Sequence, residues 1–397
     1  MARIIPEIPI MFKNKFPVGF SNRLELEGFP KEKLKETLLD GTAKLLMLDI
    51  DFGTQCSLNC PHCFRKSVSL NNLKSGNLTY DETISLLKEA KSLGLEAIRI
   101  LGAGVPFENK DFLGFITELK KLNIRAGIFT KGHVIGDDDL VKKYNAHYGI
   151  TTGKQLVEKL YALGATIIIG FNSFDTEVQD YMVGAGNLVK NYSQKRNKAL
   201  KLLIDAGFNS ADPTRIALYV APITPQNIED VFEIYKWGRM RNLYVISTAT
   251  MVSGKGKEQK DRQEKEYGKK KFEDALIKLY TRINIWNIEQ GIISADALNE
   301  QGVSSYAGCF PCNQASCGMY VTLKGKIVRC PGRDDADSTF CEDIRKSDLK
   351  KVWMSSENYK RAGTFNNHCP AKDGYTIPLR LYSEVLKNVN KHFKHKN

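Results

Sequence analysis

Between Leu45 and Ser247 the chain repeats one pattern six times: a short aliphatic run, then an amphipathic stretch with helical spacing. The spacing predicts strands at Leu45 to Ile50, Glu96 to Leu101, Ile124 to Phe129, Ala165 to Phe171, Arg215 to Val220 and Leu243 to Ser247. Stretches such as TYDETISLLKEAKSLG and KQLVEKLYALG read as the intervening helices, and four connections carry Leu-Gly, Leu-Asn or Ala-Gly shortly before the next strand. That is how a helix C-cap turns into a new βα unit. Six strand-then-helix units in a row imply a parallel sheet, because each right-handed crossover returns the chain in the same direction. A doubly wound sheet and a partial barrel both satisfy the pattern, and in both the chemistry belongs at the C-terminal strand ends.

At 397 residues the chain exceeds the size at which one core usually stops growing, so a large domain with a smaller one is expected. The composition divides it into an N-terminal extension (1–44), an α/β core (45–250), a charged linker and connector helix (251–301) and a cysteine-rich tail (302–397). Although 42% of residues are hydrophobic, no run reaches the roughly 18 positions of a bilayer-spanning helix. MARIIPEIPIMFKNKFP lacks the apolar segment of a signal peptide. The expectation is a soluble, cytoplasmic protein with no membrane partner. The net charge of +13 comes from scattered lysines, and the densest run, Gly254 to Asp274, mixes both signs. A solvated surface is therefore expected rather than a nucleic-acid footprint. A basic mouth for a phosphorylated or carboxylated substrate stays open.

The nine cysteines fall into two blocks: Cys56, Cys60 and Cys63, then Cys309, Cys312, Cys317, Cys330, Cys341 and Cys369. An odd count in a chain large enough to fold unaided points to metal rather than disulfides. The first block, within DFGTQCSLNCPHCFRKS, follows the first strand and so occupies the first βα loop. Three thiolates with no obvious fourth ligand suit an iron-sulfur cluster with one iron left open, whereas closed sites need four ligands. His62, inside the loop, keeps a zinc site as the alternative.

Cys56-x3-Cys60-x2-Cys63, followed by Phe64 and set in a six-unit βα run, resembles the radical S-adenosylmethionine (SAM) enzymes over roughly residues 45 to 250. The resemblance implies a partial (β/α)6 TIM-like barrel. It implies that these three cysteines hold a 4Fe-4S cluster whose open iron binds SAM and cleaves it to a 5′-deoxyadenosyl radical, with a reductase and flavodoxin, or a ferredoxin, as electron donor. Gly102, Ala103 and Gly104 resemble the glycine-rich stretch that cradles the SAM amino group, although Val105 stands where the family usually has Glu. Thr130, with Lys131 and Gly132, resembles a turn lining the same site. Asn172 and Ser173 resemble a polar stretch that meets the ribose or carboxylate, with Asp175 and Glu177 also reading as a plain helix N-cap. Arg196 is a candidate for the SAM carboxylate, a solvated arginine being the ordinary reading.

The tail resembles the SPASM or twitch extensions of this family: Gly325-x4-Cys330 matches their hairpin, with Lys324-Gly325 at its turn. This implies a small C-terminal iron-sulfur domain with at least one auxiliary 4Fe-4S cluster, on Cys312, Cys317, Cys330 and Cys369, with Cys309 and Cys341 as further candidates. A zinc knuckle on CFPCNQASC is the alternative.

The implied activity is oxidoreduction: hydrogen abstraction from substrate, then oxidation of the substrate radical through the auxiliary cluster. The expected substrate is a small molecule such as a sugar or nucleotide sugar. The alternatives are a maturase that crosslinks, epimerises or oxidises a peptide, and a zinc-stapled RNA-binding protein. Glu108, Lys131, His133, Tyr181, Lys255 and Lys257 lie on strand-end loops that choose the substrate, each with an ordinary surface reading besides. No acid-base residue stands out.

Overall fold

The computed structural model describes residues 3–13, 15–17, 23–24, 29–64, 76–186, 189–333 and 339–394. Arg65 to Ser67, which end the first cysteine stretch, lie outside them. Six parallel strands appear where the aliphatic runs stand: β1 Met47–Ile50, β2 Ala97–Ile100, β3 Arg125–Thr130, β4 Thr166–Gly170, β5 Ile216–Ile223 and β6 Tyr244–Ala249. Each pairs with its sequence neighbour, in registers such as Asp49↔Arg99 and Ile128↔Ile167. Helices including Tyr80–Ser92, Gly153–Ala162 and Tyr192–Asp205 form the connections. Thr79 and Thr152 start two of them with capping boxes, which satisfy otherwise orphaned N–H groups. The strands are buried on both faces because helices cover one side and the strands' own inward residues fill the other.

The cysteine-rich tail joins this sheet. β7 Gly318–Val321 pairs in parallel with β1, Asp49 standing opposite Tyr320. β8 Ile327–Val328 and β9 Thr339–Cys341 then continue it antiparallel, giving the order β6-β5-β4-β3-β2-β1-β7-β8-β9. The hairpin turn is closed by Gly325 N–H on the Thr322 carbonyl at 2.9 Å, with Gly325 at φ +77°. At the far edge, the Ala307 N–H reaches the Ser247 carbonyl of β6 at 3.0 Å. The Val252 N–H meets the Gly332 carbonyl at 2.9 Å. The tail thus borders both edges of the six-stranded core and closes over the C-terminal strand ends.

The charged run is helical: Lys255–Gln263, a wider turn over Glu264–Gly268, then Lys269–Glu289. The C-terminal helix Arg380–Lys394 packs on the last of these, with Arg380 paired to Asp274 at 2.6 Å and Glu273 at 3.3 Å. Among the described residues no helix is long and apolar enough to cross a membrane.

Candidate functional site

The loop from Phe52 to Phe64 leaves β1 at the C-terminal face of the sheet and is gripped from three other strand-end loops. The Val105 N–H binds the Gln55 carbonyl at 2.7 Å. A Cβ on Gly104 would overlap that carbonyl oxygen, so glycine is needed there for loop packing as well as for any ligand. Ser57 is held by Glu108, whose carboxylate accepts its N–H at 3.0 Å and its hydroxyl at 2.6 Å. His133 Nε2 lies 3.0 Å from the same carboxylate and 3.1 Å from the Ser57 hydroxyl. Lys255 donates its N–H to the Cys63 carbonyl at 3.0 Å and its Nζ to Asn59 Oδ1 at 3.1 Å.

Glu108 and His133 are therefore buried structural partners of the cysteine loop, not the surface positions that their placement on loops suggests. Burial alone raises the Glu108 carboxyl, but hydrogen bonds from His133 and Ser57 outweigh it and hold the group below the usual carboxylate range. Tyr181 and Lys257 are exposed, as their ordinary reading has it, while Lys131 lines the cavity described next.

Cys56, Cys60 and Cys63 line one cavity together with Phe64, Gly102, Ala103, Gly104 and Thr130. Gly102 has φ +76°, a conformation that turns the main chain toward the loop at low cost. His62 lines the cavity as well, and burial, then the nearby Lys131 charge, push its pKa well below the ordinary value. Among the described residues no three His, Cys, Asp or Glu side chains converge on one metal-ion position.

Three other expected SAM contacts do not line this cavity. Asn172 is fully buried, its side-chain amide unpartnered among the described residues. The Ser173 hydroxyl donates to Asp230 and accepts the Asp175 N–H at 2.9 Å. Asp175 itself caps helix Thr176–Val183, accepting from Glu177 and Val178. Arg196 is not solvated: it is 1% exposed, stacks on Phe171 at 3.6 Å and donates to Gln179 Oε1 at 2.8 Å. Burial pulls its guanidinium down to about 10.

A second cavity adjoins the first. It is lined by Cys312, Cys330 and Cys369, and the two share Phe64, Leu101, Phe129, Tyr219 and Met251 as a common wall. Phe129 and Tyr219 pack edge to face, 5.1 Å between centroids. Burial first, then the proximity of Cys369, pushes the Cys330 thiol up to about 12.

Two features here escaped the sequence reading. Arg99 of β2 makes a two-pronged ion pair with Asp49 of β1, at 2.6 and 2.7 Å, and Arg99 Nη1 donates to Cys312 Sγ at 3.3 Å. Lys372 is buried, with Nζ on Thr248 Oγ1 at 3.0 Å. A charged pair at matching positions of two adjacent strands was the one signal available for the first.

Cys317, Cys309 and Cys341 do not line this cavity. Cys317 packs with Leu46, Met47 and Ala97. Cys309 donates to the Val245 carbonyl at 2.8 Å, and Cys341 stands on β9 with Ser347 Oγ at 3.5 Å. No disulfide joins any of the nine cysteines, all of which are among the described residues.

The sequence model of the Radical SAM superfamily matches residues 50–238. No curated protein matches the sequence. Among solved structures, "Native anSMEcpe with bound AdoMet" is similar, with TM-score 0.56 and 15% identity over 88% of this chain and 97% of that one. "Native anSMEcpe with bound AdoMet and Kp18Cys peptide" gives 0.56 and 14% over 88% and 98%. Streptococcus suis SuiB gives 0.46 and 19% over 80% and 68%. At these identities the first two likenesses are of fold: an α/β architecture with a mostly parallel sheet, as the partial-barrel expectation has it.

Proposed function

We propose that this chain is a radical SAM oxidoreductase with a SAM-binding 4Fe-4S cluster on Cys56, Cys60 and Cys63 and an auxiliary cluster on the tail cysteines. One observation carries the reading. The cavity of the first three thiols and that of Cys312, Cys330 and Cys369 meet at a single wall over the C-terminal strand ends. When bound, the first cluster supplies the electron that splits SAM into methionine and a 5′-deoxyadenosyl radical, the species that takes a hydrogen atom from substrate. A substrate at the shared wall then lies between the site of hydrogen abstraction and an electron acceptor. Loss of a hydrogen atom followed by one electron and one proton amounts to a two-electron oxidation.

The chain's residues supply position and dryness. Gly102 to Gly104 bring main chain against the cluster loop, Thr130 borders the SAM cavity, and Arg196, on the helix Tyr192–Asp205, is a buried cation stacked on Phe171 just past β4. Phe64, Leu101, Phe129, Tyr219 and Met251 exclude water from the reacting centre.

That wall also bears on the substrate. The five apolar or aromatic side chains of the wall offer few partners for sugar hydroxyls, each of which costs about 1–3 kcal/mol if buried unpaired, while Asn313, Gln314 and Asn366 line only the second cavity and Lys131 only the first. The wall supports a substrate that presents an apolar group, as a peptide side chain does, over a sugar. The peptide-bound neighbour of the same fold fits this reading. The test is anaerobic reconstitution, reduction with dithionite and incubation with SAM. 5′-Deoxyadenosine should form, and Cys60→Ala should abolish it. Colourless, zinc-loaded protein that yields none would refute the proposal.

A further inference from the structure

A buried carboxylate is built into the support of the first cysteine loop. Glu108, 4% exposed, accepts the Ser57 N–H at 3.0 Å and the Ser57 hydroxyl at 2.6 Å, and Ser57 directly follows Cys56 in the chain. His133 is fully buried and brings Nε2 to 3.0 Å from the same carboxylate, while its Nδ1 meets no partner among the described residues. A second proton on that ring would bury an unpaired charged N–H, so the imidazole fits as the neutral Nε2–H donor. Among the described residues no lysine or arginine pairs with Glu108. Lys255 reaches the loop at Asn59 instead, and Lys131 lines the thiol cavity. The negative charge of Glu108 is therefore left standing beside the loop.

We infer that Glu108, aimed by His133, is a positioning residue that holds down the reduction potential of the cluster on Cys56, Cys60 and Cys63. This rests on the proposed reading that those three thiols carry a cluster. Two effects act with the same sign. Hydrogen bonds to a cluster's sulfurs make it easier to reduce, and negative charge nearby makes it harder. Glu108 takes the N–H that adjoins Cys56 away from any sulfur, and it sets one charge, weakly screened by its burial, next to the loop.

Neither Glu108 nor His133 lines the cavity of the three thiols, so both act through the loop and its field rather than by touching SAM. The consequence for the reaction is direct. An electron that leaves at lower potential carries more driving force into the splitting of a sulfonium.

The experiment is a redox titration of the anaerobically reconstituted full chain, followed by EPR and read on the signal that added SAM perturbs. Glu108→Gln keeps an acceptor for the Ser57 N–H but loses the charge, whereas Glu108→Ala loses both. The midpoint potential should rise in Glu108→Gln and rise further in Glu108→Ala, and 5′-deoxyadenosine formation should slow in the same order. Ser57→Ala keeps the N–H bond and the charge and should titrate like the parent. A parental potential in both Glu108 variants, or loss of the cluster from both, confines Glu108 to holding the loop and overturns the inference while the cluster reading stands. A parent chain with no SAM-sensitive signal overturns the cluster reading itself, and the inference with it.

Discussion

Glu108, in the turn after β2, accepts both the N–H and the hydroxyl of Ser57, at 3.0 and 2.6 Å, and so fixes the residue that follows Cys56. These are charge-assisted bonds to a buried carboxylate from a Ser57 that is itself exposed, worth about 1.5–3 kcal/mol each. Glu108→Gln keeps the shape and one acceptor but loses the charge. It should lower the unfolding free energy by about 2 kcal/mol in urea titrations at pH 7.

The pH dependence of that loss follows from the depressed Glu108 carboxyl. A carboxylate held below its unfolded value contributes its stability above roughly pH 4.3 and loses it as the pH falls through the folded value. The difference between parent and Glu108→Gln should therefore be full at pH 7 and shrink below about pH 4. A difference independent of pH would assign the effect to packing.

Glycine at positions 104 and 254 is set by the cysteine loop. An added Cβ would overlap the Gln55 carbonyl oxygen in one case and the Phe64 carbonyl oxygen in the other, and Gly254 also has φ +52°. Backbone cannot yield as a flexible side chain does, so Gly104→Ala or Gly254→Ala should cost about 1–3 kcal/mol and displace the loop. On the proposed cluster reading, the check is iron content after reconstitution, expected to fall below that of the parent while the far-ultraviolet circular dichroism stays the same.

Asp49 and Arg99 form a buried pair whose removal should be asymmetric. Burial raises the Asp49 carboxyl and the Arg99 charge opposes that rise. Arg99→Met leaves the carboxylate without its cation and should destabilise by about 3–5 kcal/mol, whereas Asp49→Leu with Arg99→Met should recover most of this. Denaturant midpoints of the two single variants and the double variant decide it.

The strands were legible because a parallel strand buried on both faces is an unbroken aliphatic run, and Ile167 to Ile169 could hardly be anything else. β5 runs three residues beyond its predicted end, through Pro222 to Ile223, because a bulge between Val220 and Ile223 accommodates the missing N–H. The pairing of β7 with β1 was not legible: Gly318 to Val321 meets Met47 to Ile50 across most of the chain, and no local pattern encodes so distant a partner. Likewise spacing put Glu108 and His133 on strand-end loops, but both are buried and bond Ser57, which the cysteine motif itself does not single out. The first three thiols could be read from spacing, while the direction each tail thiol faces follows from the hairpin's docking onto the sheet.

That docking leads to the last prediction. Trp353, on the helix Leu349–Ser355, is fully buried and donates its indole N–H to the Ala43 carbonyl at 2.8 Å, tying the tail to the segment that enters β1. Since β7 also pairs with β1, the tail and the six parallel strands share one continuous sheet and one core. Trp353→Ala should cost about 3–5 kcal/mol, and Trp353→Phe, which mainly loses the hydrogen bond and part of the ring, clearly less. Because no boundary in the sheet separates the two parts, the loss should appear as one cooperative transition of the whole apoprotein, with fluorescence and circular dichroism coinciding. An early, separate transition of the tail would show that the shared strand edge does not couple them.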